Sequence, residues 1–337
     1  MEELKRELEK LSKTYVDTPE KEEKILIPFI KRLLELSVKE RRKLLPTIRE
    51  LQWIKGKFSE TFCDHHRARF LGAVQFVCGN KREMDLGYHI DFNLLCKLLS
   101  LYTPSWLAEY INDAESYLNF NISYEQLMQL IDMGYMQELS PKRIAQILPS
   151  YICIRSSIPK GKDTFNSDLL LKREITLKEH IWYLFEQESS IGYHNDRAQT
   201  AYKEGTTSRD ESFSAAFYRF SLDGHLDRNQ LLRATLSTFN RSFKKDMVNW
   251  FAGLFEELQP RAEELISLQE EIMQVFTSPY TKPVNVMLQQ LKKIASEGGF
   301  HYQEFIERAT TLFFSSPKNS LLTIYSIFEQ IVAGTPK

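Results

Sequence analysis

The stretch FTSPYTKPVNVMLQQLKKI, residues 276–294, decides the fold, because a related stretch, FSSPKNSLLTIYSIFEQI, occupies residues 314–331. The Phe-x-Ser-Pro start recurs at an offset of 38 residues, and the apolar positions after it recur at an offset of 37. In each copy these positions follow the spacing 0, 3, 4, 7, 10, which places them on one face of a helix. The two sets are Val284, Met287, Leu288, Leu291 and Ile294, then Leu321, Ile324, Tyr325, Phe328 and Ile331.

A second apolar helix precedes each copy, at residues 265–275 and 305–313. A period of 37–38 residues that contains two helices is typical of a solenoid of helical hairpins. We therefore predict that residues 260–335 form two stacked antiparallel helix pairs. The side chains expected to be buried there are Val284, Leu288, Leu291, Tyr325, Phe328 and Ile331.

Apolar positions with helical spacing continue through most of the chain, which indicates about sixteen helices. Glycine and proline together account for 25 of 337 residues, about 7% against a usual 12% or so. This shortage argues against β-rich folds and against a glycine-rich nucleotide cradle. The predicted fold class is all-α, a right-handed superhelical array of helical hairpins.

Changes in composition divide the chain into three parts. Residues 1–152 are predicted to be an N-terminal helical repeat region, and residues 209–337 contain the C-terminal repeats. Between them, residues 153–208 are expected to be irregular loops that flank one helix. Long loops in a compact array are either functional or merely connecting and disordered, and the sequence leaves both readings open.

The C-terminal part resembles a known superfamily. The Ser-Pro start ahead of the second helix of each pair resembles the HEAT-repeat α-solenoids. The segments DGHLDRNQLLRATL (223–236), Trp250-Phe251 and LQPRAEEL (258–265) resemble an uncharacterised bacterial family of HEAT-like proteins. The resemblance covers about residues 222–335 and implies a HEAT-like α-solenoid. It supplies no activity and no catalytic residues. Some members are encoded beside ATPases, which implies a protein partner in an ATPase-containing assembly.

Residues with reactive or metal-binding side chains form no complete motif. Cys63-Asp64-His65-His66 lacks a convincing fourth zinc ligand, since Cys78 lies in an apolar helix end. Lys160-Gly161-Lys162 lacks the first glycine and the Ser/Thr of a phosphate loop. We therefore expect no catalytic residues, no cofactor and no metal. Four sparse cysteines and the lack of a signal peptide or membrane span predict a cytoplasmic protein.

A basic segment is the most functional-looking feature. Residues 25–82 hold 13 Lys/Arg and 5 Asp/Glu, whereas residues 83–149 hold 3 and 9. We expect the basic side chains to be exposed on neighbouring helices. Three readings stay open: a solvated face neutralised by the acidic block, a site for an acidic protein, or a site for nucleic acid. The candidate partner-binding residues are Arg42, Arg49, Lys55, Lys57, Arg67 and Arg69.

These observations favour a non-enzymatic α-solenoid that scaffolds protein partners through an extended surface. The alternative is a HEAT-like nucleic-acid-binding protein or a DNA glycosylase that acts on alkylated bases. Trp53 and Trp106 would then lie against the damaged base and Asp113 near the sugar. The acidic block 83–149 opposes this alternative, because it repels DNA, and nucleic acid is the less favoured partner.

Overall fold

The computed structural model describes residues 1–14, 18–52, 62–84, 90–113, 122–156, 161–314 and 317–334. Helices make up almost all of the regular structure in these ranges, so the fold class is all-α, as predicted. Two compact units divide the chain, unit 1 at residues 1–143 and unit 2 at residues 144–337. None of the described helices combines the length and the apolar character needed to cross a bilayer.

Unit 1 is built on a helical core in which α2 and α4 pack against α5. Apolar side chains of α2, such as Leu26 and Phe29, meet Phe70 and Val74 of α5, and all four are buried. The rings of Phe29 and Phe70 lie 5.9 Å apart between centroids. The helices of this unit are α1 (Glu2–Ser12), α2 (Pro19–Leu34), α3 (Val38–Arg41), α4 (Leu45–Gln52), α5 (Phe62–Cys78), α6 (Phe92–Leu101), α7 (Leu107–Asn112) and α8 (Tyr124–Asp132).

Unit 2 has an aromatic core. The ring of Phe185 lies 5.7 Å from that of Phe217 and 5.2 Å from that of Phe251, and all three are buried. Its helices are α9 (Pro141–Tyr151, which begins at the end of unit 1), α10 (Glu174–Lys178), α11 (Tyr183–Glu186), α12 (Ile191–Lys203), α13 (Phe213–Leu222), α14 (Arg228–Ser237), α15 (Lys245–Glu257), α16 (Ala262–Gln274), α17 (Thr281–Lys292), α18 (Tyr302–Thr310) and α19 (Lys318–Gly334). A short antiparallel pair joins β1 (Cys153–Ile154) to β2 (Thr164–Phe165).

The C-terminal part of unit 2 repeats one order of elements three times: a helix, a short 3₁₀ turn and a second helix. The turns are Thr238–Asn240 between α14 and α15, Val275–Thr277 between α16 and α17, and Thr311–Phe314 between α18 and α19. Each turn contains phenylalanine: Phe239 and Phe276, 37 residues apart, are the middle residues of the first two turns, and Phe313 and Phe314 end the third. Helix α15 packs against α17, and α17 packs against α19. The element order that the sequence repeats twice therefore occurs a third time, ahead of the two.

The prediction of irregular loops over 153–208 is wrong for its last part, because α12 (Ile191–Lys203) occupies most of residues 188–208. This helix packs through small side chains, among them the buried Ala198 and Ala201, and Gly192 lies directly against the ring of Trp250. Small residues give little apolar periodicity, which concealed the helix. Unit 1 ends at residue 143, and residues 153–208 belong to the same unit as residues 209–337.

The burial predicted for the two repeat copies is correct in the first and wrong in part of the second. Val284, Leu288 and Leu291 are buried on α17. On α19, Phe328 and Ile331 are half-buried and Tyr325 is 62% exposed. Tyr325 is the counterpart of Leu288 in the repeat. Helix α19 covers the face of α17 that holds Leu288, whereas no described helix covers the face of α19 that holds Tyr325.

Candidate functional site

Two of the basic side chains predicted to form an open binding face, Arg42 and Arg69, form close ion pairs within unit 1. Arg42, on the 3₁₀ turn Arg42–Leu44 before α4, donates to Oε1 of Glu83 at 2.8 Å. Arg49 on α4 lies 4.0 Å from the same oxygen. Glu83 belongs to the acidic block, so the two blocks of opposite charge meet at this point, with one carboxylate near two guanidinium groups.

Arg69 was expected to be exposed, and this expectation is wrong. Only 7% of the residue is exposed, because its guanidinium lies inward between α2 and α6. Its Nε lies 3.1 Å from Oε2 of the buried Glu22, and it also pairs with Asp91. A guanidinium can be buried only when carboxylates compensate its charge, and three acidic side chains do so here, since Oε1 of Glu23 also lies 4.0 Å from Nη2 of Arg69. An open cleft of about 570 Å³ lies over this ion-pair cluster.

The other basic candidates do not extend the face. Arg67 is half-exposed and donates to the backbone oxygen of Leu51 at 2.9 Å, so it closes the α4–α5 pair. Lys55 and Lys57 lie outside the described residues. Among the four basic candidates that the structure describes, Arg49 alone is classed as exposed.

The residues named for the glycosylase alternative are engaged in contacts within unit 1. Trp106 packs edge-on against Phe76 at 5.6 Å between ring centroids. Asp113 lies 3.0 Å from Nζ of Lys81, and the hydrogen bonds that this ammonium donates to Glu109 and Asp113 raise the pKa of the lysine. Trp53 lies outside the described residues. Both Trp106 and Asp113 are half-buried, and each already contacts a neighbouring side chain of unit 1.

Cys78 was considered as a metal ligand and is instead a core residue. It is 1% exposed, and burial raises the pKa of its thiol to about 12. The metal-binding thiolate form is thus strongly disfavoured. The side chains of Cys63, His65 and His66 are outside the described part of the chain.

The segment that resembles the HEAT-like family has a structural role that its residues explain. Gly224 adopts φ +77° in the turn after α13, a conformation that L side chains rarely adopt. Asp227 caps α14 by accepting from the backbone N–H of Gln230 at 2.6 Å. Arg228 then donates to both carboxylate oxygens of Glu264 on α16, at 2.6 and 3.0 Å. These motif residues therefore join two successive hairpins.

An open groove of about 540 Å³ lies between α11 and α14 in unit 2. Trp182, half-buried, forms one wall, and the buried Phe185 lies against it with 5.9 Å between ring centroids. The opposite wall is the polar face of α14 and the turn that follows it. The residues that line the groove are Trp182, Phe185, Glu186, Asp227, Asn229, Gln230, Arg233, Ala234, Ser237 and Arg241.

The two arginines of the groove differ in how far their charges are compensated. Arg233 pairs with Glu271 of α16 and donates to the side-chain oxygen of Asn229 at 3.0 Å. Arg241 is exposed and forms no ion pair with any carboxylate in the described ranges. The groove therefore combines an indole surface, side-chain amides and one available guanidinium. This set can bind a peptide main chain together with an acidic group.

Sequence reasoning missed this groove, because its residues lie on separate elements. In the sequence, Trp182 is one apolar residue among several between Leu177 and Phe185 and is not marked as a site residue. Arg233 and Arg241 lie in a segment with nearly balanced charge, so no local excess marked them. A spacing of eight residues between two arginines and the presence of a tryptophan fifty residues earlier carry no recognisable motif.

A histidine and two glutamates also meet at the surface of unit 2. Nδ1 of His301 lies 3.6 Å from Oε1 of Glu270 and 3.8 Å from Oε2 of Glu304. Arg308 already binds Glu304 at 2.7 Å. A divalent cation would have to compete with that guanidinium, so we interpret this group as a surface ion-pair cluster.

Comparison with known proteins places the chain in one family. No curated protein and no solved structure matches it. Residues 2–319 match a family model described as a domain of unknown function, DUF6493. That match spans nearly the whole chain, and the protein therefore belongs to the DUF6493 family.

Proposed function

We propose that this protein is a non-enzymatic scaffold of the α-solenoid type that binds a protein partner through the groove between α11 and α14. The observation that carries the proposal is the juxtaposition of Trp182 with the unpaired guanidinium of Arg241 across an open groove. Tryptophan and arginine are the residues most enriched at energetically dominant positions of protein interfaces.

The chemistry of the groove defines the segment that would fit it. The indole of Trp182 and the ring of Phe185 offer an apolar surface, and Arg241 offers a positive charge at the rim. Amides of Asn229 and Gln230 can both donate and accept, as a peptide main chain requires. We therefore expect a segment in which a large apolar side chain lies close to a carboxylate. The proposal places the protein in the cytoplasm, where the thiol of Cys78 stays reduced.

A peptide array tests this function. Peptides with a large apolar residue and an acidic residue at varied separations are probed with the purified protein, beside versions in which the acid is replaced by its amide. We expect a subset of the acidic peptides to bind, with affinity at least tenfold lower for Trp182→Ala and for Arg241→Glu. Binding that tolerates both substitutions would refute the proposal.

Matched controls separate the groove from general effects of mutation. Trp250→Ala removes another half-buried tryptophan of unit 2, one that packs on Phe251 rather than facing the groove. Arg209→Glu reverses an exposed arginine of the same unit outside the groove. Both control variants should retain peptide binding, and thermal unfolding of each protein verifies that the fold persists.

A further inference from the structure

Helix α17 packs against α15, and α19 packs against α17. Residues of α17 that contact α19 are identified by their hydrogen bonds: Asn285 binds Ser320, and Gln289 donates to Thr323 at 3.0 Å. Thirty-seven residues further along, the counterparts of Asn285 and Gln289 are Leu322 and Ser326 on α19. The uncovered face of α19 is therefore the repeat's own helix-binding face.

The side chains on this face are apolar and exposed, as a packing surface requires. Leu322 is 56% exposed, Tyr325 is 62% exposed and Val332 is 75% exposed. The counterparts of Tyr325 in the two earlier repeats are Leu288 and Phe251, and both are buried. A repeat array needs a polar outer face where it meets water. Only two of the seventeen residues of α19 are charged.

We propose that the exposed face of α19 binds the same face of a second copy of this chain, in an antiparallel helix pair. Five exposed positions of α19 have the alternating 4, 3, 4, 3 spacing of a coiled-coil seam. They are Lys318, Leu322, Tyr325, Glu329 and Val332. This surface shares no residue with the groove between α11 and α14, so the proposal does not depend on the proposed function.

The charges on the seam select the second copy as the occupant. In an antiparallel pair with its two-fold axis between residues 323 and 324, Lys318 lies opposite Glu329 of the second copy, and Leu322 lies opposite Tyr325. The symmetry repeats both contacts. Neither Lys318 nor Glu329 forms an ion pair with another described residue, so both charges are available. Phe314, 95% exposed just before α19, extends the apolar surface at each end of the pair.

Sedimentation equilibrium of the full chain tests the dimer. A single pair of helices gives a small interface, so we expect the average mass to rise from one toward two chains between about 1 and 300 µM. Leu322→Glu should keep the protein monomeric over this range. Leu222→Glu is the matched control, since Leu222 is a leucine of the same unit with 52% exposure, and it should dimerise like wild type. A wild-type protein that stays monomeric throughout would overturn the proposal.

Charge exchange tests the antiparallel register itself. Lys318→Glu and Glu329→Lys each place like charges opposite one another twice, and each should weaken the dimer about fivefold or more. The double variant restores opposite charges and should recover wild-type dimerisation within about threefold. A register in which Leu322 met Val332 and Tyr325 met Glu329 would show no recovery, and that result would also overturn the proposal. Circular dichroism checks that every variant is folded.

Discussion

His194 makes the stability of unit 2 sensitive to acid. It lies on α12 with 9% of its surface exposed, and its Nδ1 has no hydrogen-bond partner among the described residues. Burial, followed by the charges of Arg197 and Arg155, lowers its pKa from 6.5 to about 4. The folded protein therefore needs a neutral imidazole at this position, whereas the unfolded chain binds a proton there already near pH 6.5.

The first prediction follows from this difference in proton binding. Because the folded-state pKa is depressed, the contribution of His194 is complete above pH 6.5 and is lost as the pH falls toward 4, by about 1–3 kcal/mol after allowance for relaxation. His194→Leu should flatten the dependence of the free energy of unfolding on pH between these values. Urea denaturation at several pH values measures it.

Two other histidines of unit 2 affect how that experiment is interpreted: one is also buried, and one is exposed and serves as a control. Burial also lowers the pKa of His180, so the His194→Leu variant should keep part of the acid sensitivity. His225→Leu replaces an exposed histidine of the same unit and serves as the control. If His194→Leu and wild type lose stability in parallel between pH 6.5 and 4, the imidazole of His194 is already accommodated in its charged form.

At the scale of secondary-structure elements, equivalent positions in successive repeats differ in energy according to what covers them. Leu288 on α17 and Tyr325 on α19 are 37 residues apart and lie on matching faces. Leu288 is fully buried beneath neighbouring helices, whereas Tyr325 faces outward. Helix packing, rather than the residue's place in the repeat, therefore decides how much each side chain stabilises the fold.

The corresponding prediction compares two truncations. Leu288→Ala should lower the free energy of unfolding by about 2–5 kcal/mol, because it leaves a cavity in the core. Tyr325→Ala should change it by less than about 0.5 kcal/mol when measured at about 1 µM, where the chain is expected to be monomeric. Tyr193→Ala, which removes a second tyrosine with 62% exposure, provides the matched control. A cost above about 2 kcal/mol for Tyr325→Ala would show that α19 is covered even in the monomer.

The contrast between these two positions also explains how much of the fold could be predicted from the sequence. Spacing of apolar residues locates helices well, since it follows directly from the period of the helix. The same spacing does not predict which helix packs against a given face of another helix. For this reason the sequence predicted that Tyr325 is buried, although the residue is exposed. It is silent too where small residues form the packing face, as Ala198 and Ala201 do on α12.

The start of a helix is likewise only partly determined by the local sequence. Ser140-Pro141 begins α9 as its sequence predicts, and the Ser140 hydroxyl accepts from the backbone N–H of Arg143 at 3.2 Å. Thr103-Pro104 gives the same signal, but the Thr103 hydroxyl instead donates to the backbone oxygen of Leu99, and the next helix begins only at Leu107. A local motif offers a cap, and packing decides whether it is used.

The candidate site was less predictable than the fold, because it is formed by charged and aromatic side chains that lie far apart in the sequence. Arg69 looks identical to an exposed cation in the sequence, and only the approach of Glu22 and Asp91 from other helices reveals that it is buried and paired. Trp182 and Arg241 meet at the groove only because α11 packs against α14. Both facts depend on tertiary contacts between residues far apart in the sequence.

At the scale of the whole molecule, opposite charges that are separate along the chain are brought together within unit 1. Residues 25–82 carry a formal excess of eight positive charges, and residues 83–149 carry an excess of six negative ones. Contacts between these blocks include Arg42 with Glu83, Arg69 with Asp91, and Lys81 with Glu109 at 2.7 Å. Folding thus removes much of the positive field that the linear sequence suggests.

The last prediction concerns nucleic acid, the partner that a basic face would favour. Affinity for DNA depends on cations that can replace counterions at the phosphates, and a cation already paired with a carboxylate replaces few of them. With Arg42 and Arg69 paired and a formal net charge of −1, we expect duplex DNA to bind no more tightly than about 10⁻⁴ M at 150 mM salt. Fluorescence anisotropy with a labelled duplex measures the affinity, and Arg42→Glu combined with Arg49→Glu should leave it unchanged. Micromolar binding that weakens steeply with salt, and that this double variant abolishes, would instead establish unit 1 as a nucleic-acid surface, because only cations free of intramolecular partners produce both effects.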